Sequence, residues 1–293
     1  MAAGGSKLFN WGIFVTLSFI WGSSFILIKE ASHRLSPVQV ASLRLFCAGM
    51  VLLPIAIKQF RNIPSNKIVY VLLSGFVGNF IPAILFPVAE FKIDSSLAGF
   101  LNSLTPISVI VTGILFFRYT FHRSKIGGIL IGFAGMVILF LANGLPDLQH
   151  FSYSSLVLLA AFLYSLNINM IGRYLKEVSS VSIAAVSFAS LIPLSLVVLV
   201  VTGFFDLRFT QMPVVKSVAA ASTLGVMATA IGSIIFYMLL KTAGALFSSM
   251  VTYGMPFVAL FWGILAGEHI TVLQVVGLGI ILCGVYLSSV KPS

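Results

Sequence analysis

Polar side chains able to do chemistry lie inside long apolar runs of this chain, and they recur three or four residues apart. Trp21 and Ser24 can share one helix face, as can Asn102 with Thr105, Tyr164 with Asn167, Ser233 with Tyr237, and Ser249 with Thr252 and Tyr253. Asn79 adds an amide beside Pro82. In hydrocarbon such groups must find partners, so these faces point inward, either toward one another as interhelical glue or toward a water-filled cavity. For a single Ser or Thr, glue is the leading reading. For Asn79, Asn102, Asn167 and Tyr237 the two readings balance, because amides and phenols are costlier to leave in a dry interface. Trp21 and Tyr164 sit too far from their run ends to belong to a headgroup belt. Arg44 is the lone charge well inside a run, about 10 Å along the axis from its outer start. It either snorkels or pairs with carbonyls, or its guanidinium receives a solute carboxylate or gates the outer mouth.

The chemistry that is missing narrows the field. Asp and Glu fall at run ends or in the connections, so a proton relay has no obvious carrier. His33, His122, His150 and His269 are far apart and show no metal-ligand spacing. No GxSxG elbow, phosphate loop or paired Asp occurs, and Cys47 and Cys283 are single thiols in apolar runs. No cofactor, no metal and no enzymatic activity are expected. Facilitated diffusion or exchange of a neutral or zwitterionic solute fits the residues better than proton-driven export of cations.

The elements that must position these groups are membrane spans. Of 293 residues 59% are hydrophobic and 8% charged, which excludes a soluble domain and a disordered chain alike. Ten apolar runs, near 10-28, 37-57, 68-89, 96-117, 125-142, 152-171, 183-203, 215-240, 246-266 and 271-289, each approach the ~20 residues that cross a bilayer as a helix. The first is read as a retained span, a signal peptide being the lesser alternative. The net charge of +10 does not indicate nucleic acid, because Lys and Arg are scattered singly through short connections. Lys7, Lys58, Arg61, Lys67, Arg118, Arg123, Lys125, Arg173, Lys176, Lys241 and Lys291 gather on one side, opposed there by Glu177 alone. The positive-inside rule therefore predicts both termini in the cytoplasm. Lys29, Glu30, Glu90, Lys92, Glu268 and His269 fall to the outer rim, as solvated charges or as a latch of ion pairs.

The chain also repeats itself. An offset of 150 aligns Pro106 with Pro256 and Gly113-Ile114-Leu115 with Gly263-Ile264-Leu265; one residue less aligns Gly128, Ile131 and Gly135 with Gly277, Ile280 and Gly284. Runs four and five thus match nine and ten, which predicts two five-helix units, 1-145 and 146-293. An odd number of spans inverts the second unit, an architecture of transporters with a midplane site between the halves. Pro106 and Pro256 are expected to kink the fourth and ninth helices and to act as hinges. Gly128 and Gly132, with Gly277, Gly279 and Gly284, let the fifth and tenth helices pack closely, as a scaffold or as a homodimer face.

These residues resemble the ten-helix drug/metabolite transporters of the EamA type. The resemblance rests on Trp21-Gly22-Ser23-Ser24-Phe25, on Pro37 and Arg44, and on Pro256, Glu268, Thr271, Gln274, Gly277 and Gly284. It covers almost the whole chain. One departure is Arg118-Tyr119 where the family usually repeats the Glu of the second half. The resemblance implies an all-α protein of a bacterial-type cytoplasmic membrane, monomeric or homodimeric. It further implies a central cavity formed by helices one, three, four, six, eight and nine, and export of small metabolites such as amino acids. A carrier of phosphorylated or nucleotide-linked sugars is the alternative, wanting more buried Lys and Arg than Arg44 and Lys241 supply. A non-transporting membrane sensor or assembly subunit is a further one.

Overall fold

The computed structural model describes residues 7–93, 95–142, 151–265 and 270–289. Among the described residues the protein is all-α, with ten helices long and apolar enough to cross a membrane. They are Lys7–Ala31, Pro37–Asn62, Ser65–Glu90, Leu97–Phe117, Arg123–Leu141, Ser154–Tyr174, Ser180–Val201, Met212–Ala243, Ala245–Leu265 and Val272–Ser289, hereafter the first to the tenth span. Each overlies one apolar run of the sequence, because a helix satisfies every backbone group inside hydrocarbon.

Side-chain caps fix where several spans begin. Ser36 and Gln39 form a capping box ahead of the second span: Ser36 Oγ accepts from the Gln39 amide at 3.3 Å and Gln39 Oε1 accepts from the Ser36 amide at 2.9 Å. Thr271 and Gln274 repeat the device before the tenth span, at 3.3 and 2.8 Å. The seventh span starts at Ser179, whose hydroxyl accepts from the Ser182 amide at 3.0 Å.

Five spans are irregular, the seventh by a break at Leu191 between Ser180–Ser190 and Ile192–Val201. The third contains a π-turn at Phe76–Phe80 and the eighth one at Gly225–Ile231. The offset of 150 that relates Pro106 to Pro256 also superposes these turns. Each is closed the same way, Asn79 Nδ2 donating to the Ser74 carbonyl at 3.0 Å and Thr229 Oγ1 to the Leu224 carbonyl at 3.3 Å. The fourth span breaks between Ser95–Asn102 and Thr105–Phe117, and the ninth between Ala245–Ser249 and Val251–Leu265. The fourth span breaks just ahead of Pro106, as the sequence predicts, whereas the ninth breaks at Met250, ahead of Pro256. Pro106 sits in the first turn of the second fourth-span piece, where its missing N–H costs nothing, and Pro256 lies inside a continuous helix.

Packing relates the halves. The first span packs on the eighth and ninth, as the sixth packs on the third and fourth; the second packs on the eighth as the seventh does on the third; the second and seventh meet each other, as do the fifth and tenth. This pattern maps onto itself when every span is exchanged for the one five further on, which is what an inverted repeat requires. The fifth and tenth spans cross with backbones touching: a Cβ on Gly128 would lie 2.7 Å from the Gly284 carbonyl, and one on Gly135 2.7 Å from that of Gly277. Gly279 has open space around it and takes no part in this crossing.

Candidate functional site: a cavity between the two halves

Among the described residues the bundle holds a cavity of about 1370 Å³, roomier than the ~300–1,000 Å³ of an ordinary small-molecule pocket. Its mouth is formed by Lys29, Ser32, Ser36, Glu90, Lys92 and Tyr153, all from the face opposite the termini. Toward the terminal face the bundle is closed by rings. Tyr70 stacks on Tyr174 at 4.6 Å between the third and sixth spans, and Phe247 meets Trp11 and Phe14, each at 5.4 Å, between the ninth and first.

Most of the residues singled out in sequence converge on this cavity. Trp21 and Ser24 line it from the first span, Arg44 from the second, Asn79 and Glu90 from the third, and Asn102 from the fourth. Tyr164 and Asn167 line it from the sixth, Ser233 and Tyr237 from the eighth, and Ser249 and Pro256 from the ninth. The resemblance omitted three walls: the second span contributes Arg44, the fifth contributes Met136, Leu139 and Phe140, and the tenth contributes Gln274. Glu268 lies outside the described residues.

Tyr253 is a correction, because it does not reach the cavity. It is fully buried against the fifth span, its hydroxyl donating to the Ile129 carbonyl at 3.3 Å and its ring filling the space above Gly132. The helical phase that grouped it with Ser249 does not survive the break at Met250, where Tyr253 N bonds to the Met250 carbonyl three residues back at 2.9 Å. Glu90 stands at the mouth, where the outer rim was expected, but is less solvated than expected there. It ends the third span as a part-buried group of the mouth, close enough to Arg44 for their charges to interact.

The polar groups of the wall differ in how they are engaged. Trp21 Nε1 donates at 3.0 Å to the Ala228 carbonyl in the eighth-span π-turn, tying the first span to the eighth. Asn79 Nδ2 reaches the Tyr237 hydroxyl at 3.2 Å, and Tyr237 in turn lies 3.5 Å from Ser74 Oγ. Asn102 Oδ1 accepts from Thr105 Oγ1 at 3.3 Å. Arg44 is different: its Nε is buried and has no hydrogen-bond partner in the protein. It lines the cavity beside Tyr164 and Glu90 and forms no ion pair with Glu90. A Cβ on Gly225 would lie 2.5 Å from the Arg44 carbonyl, so the eighth span presses on this point of the second only because Gly225 has no side chain.

The family model of the EamA-like transporters matches the chain twice, over residues 10–141 and 152–290. The chain belongs to the EamA-like transporter family. This EamA-like protein is 25% identical over 286 residues to an uncharacterized transporter of Archaeoglobus fulgidus, covering 95% of this chain and 98% of that one. It is 23% identical over 262 residues to an S-adenosylmethionine/S-adenosylhomocysteine transporter of Chlamydia muridarum, covering 86% of this chain and 82% of that one. A solved crystal structure shares the fold at a TM-score of 0.76 with 16% identity, over 97% of each chain. The protein is a multi-pass membrane transporter, and its substrate is a small molecule.

Sequence reasoning missed two groups. Asn169 Nδ2 donates to Thr112 Oγ1 at 2.8 Å and to the Val109 carbonyl at 2.9 Å, and Thr112 Oγ1 donates to Ser165 Oγ at 3.2 Å. This buried network fastens the fourth span to the sixth, and the spacing of Ser165 and Asn169 was its available signal. The second group is the aromatic wall of Phe25, Phe86, Phe100, Phe140 and Phe236. Nothing in sequence separates these rings from the lipid-facing phenylalanines around them.

Proposed function

We propose that this EamA-like transporter carries zwitterionic metabolites, amino acids or compounds derived from them, across the inner membrane by alternating access. Transport runs outward as facilitated diffusion or exchange, with both termini in the cytoplasm. The observation that carries this reading is Arg44, a part-buried side chain whose Nε is buried and unpartnered in a largely apolar cavity, with Glu90 nearby and not paired to it. An α-carboxylate meets the guanidinium by charge-assisted hydrogen bonds, and an α-ammonium is attracted to Glu90. The relatives that carry S-adenosylmethionine and S-adenosylhomocysteine, both amino-acid derivatives, support the same class. The paired π-turns and paired helix breaks support an exchange of conformations between the two halves, residues 1-145 and 146-293, with the fourth- and ninth-span breaks as hinges.

Counterflow in proteoliposomes tests this directly. Vesicles preloaded with mixed unlabelled amino acids are expected to accumulate labelled amino acid transiently, to the same extent with and without a proton gradient. No counterflow by folded, inserted protein, or an absolute need for the gradient, overturns the reading.

A further inference from the structure

We propose that Asn167 selects what the carrier accepts: its carboxamide oxygen takes an N–H from a primary amide or nucleobase at the far end of an amino-acid-type solute, and Gly78 makes room for it. This rests on the zwitterion reading of the cavity and names the part of the solute beyond its carboxylate.

Asn167 is 5% exposed and lines the cavity, and its Oδ1 has no hydrogen-bond partner in the protein. The neighbouring amides are engaged, Asn79 with Ser74 and Tyr237, and Asn102 with Thr105. A buried amide oxygen left unpaired is costly, so it persists where something else completes it. In a cavity wall the completing group is the cargo. The neighbouring helix is shaped around this side chain: a Cβ on Gly78 would overlap the Asn167 carboxamide itself, and Gly78 sits at the centre of the third-span π-turn. Such turns recur at functional sites because they re-aim a helix locally.

Position adds the second half of the argument. Asn167 follows Tyr164 by three residues on the same helix face, about 4.5 Å further along the axis and away from the mouth. Tyr164 faces Arg44. A solute whose carboxylate meets Arg44 therefore presents its side group to Asn167, one turn deeper. An aliphatic side group offers no donor there and leaves the oxygen bare, so a site of this kind discriminates by the missing hydrogen bond. The donor can come from a carboxamide, as in glutamine, or from an adenine amino group, as in S-adenosylhomocysteine.

The experiment compares exchange of labelled leucine, glutamine and S-adenosylhomocysteine by the full chain in proteoliposomes. The wild type is expected to take glutamine or S-adenosylhomocysteine at least tenfold faster than leucine at low concentration. Asn167→Leu should bring that ratio within threefold. Gly78→Ala alters no polar group yet displaces Asn167, and should narrow the ratio in the same direction. Narrowing for glutamine alone identifies a carboxamide substrate, and for S-adenosylhomocysteine alone a nucleobase. If both variants exchange solutes in the wild-type ratio, the selection by Asn167 is overturned and the zwitterion reading stands. If the wild type exchanges none of the three, the zwitterion reading falls and this inference with it.

Discussion

Truncating Arg44 to Ala leaves the cavity wall that Tyr164 and Glu90 share without its cation. A hydrogen bond to a charged group contributes about 1.5–3 kcal/mol, so exchange of carboxylated solutes should fall roughly 10- to 100-fold. Neutral analogues lacking the carboxylate should lose far less, and competition in proteoliposomes reads the difference. Equal loss in both sets reduces Arg44 to a structural residue. Most of this site was legible from residue types: the rarity of amides, phenols and charge inside apolar runs singled out Arg44, Asn79, Asn102, Asn167 and Tyr237, all of which line the cavity. Gly78 was not legible, because its role is to leave space, and only the position of Asn167 gives that space a meaning.

Individual helices carry two further expectations. The fifth and tenth spans meet through Gly128, Gly135, Gly277 and Gly284, where any Cβ would strike the facing backbone. Gly284→Leu should therefore destabilise the protein by about 1–3 kcal/mol or more, as overpacking does. Gly279→Leu, into open space, should leave the thermal transition in detergent unchanged. A matching loss at both positions would show that this crossing is not what the glycines serve. Pro256 removes the bond to the Thr252 carbonyl within a continuous helix beside the break at Met250. Restoring that bond with Pro256→Ala should slow exchange severalfold at unchanged solute affinity, whereas Pro106→Ala, at a first-turn position, should do little. Normal turnover in Pro256→Ala removes the ninth span from the list of hinges.

For the whole molecule, the shape of the cavity and the distribution of charge make one joint statement. The mouth opens on the face opposite the termini, while most Lys and Arg stand on the terminal face. With the native thiols of Cys47 and Cys283 replaced by Ser, a cysteine at Ser32 should react in intact cells with a membrane-impermeant maleimide. One at Ser179 should react only after the membrane is opened. The reverse labelling would invert the assignment of both termini to the cytoplasm. The number, order and approximate limits of the spans follow from sequence alone, because hydrocarbon forces each apolar run to satisfy its own backbone as a helix. Recurring Gly and Pro at an offset near 150 predict related halves, and the π-turns of the third and eighth spans fall at the same offset. Which polar faces meet was decided by tertiary structure. Helical phase holds only within an unbroken helix, so the break at Met250 carried Tyr253 into the fifth span, while the π-turn at Gly78 brought the third span around Asn167. A π-turn or a break is set by what the neighbouring spans press against it, and that is information no single run of sequence contains.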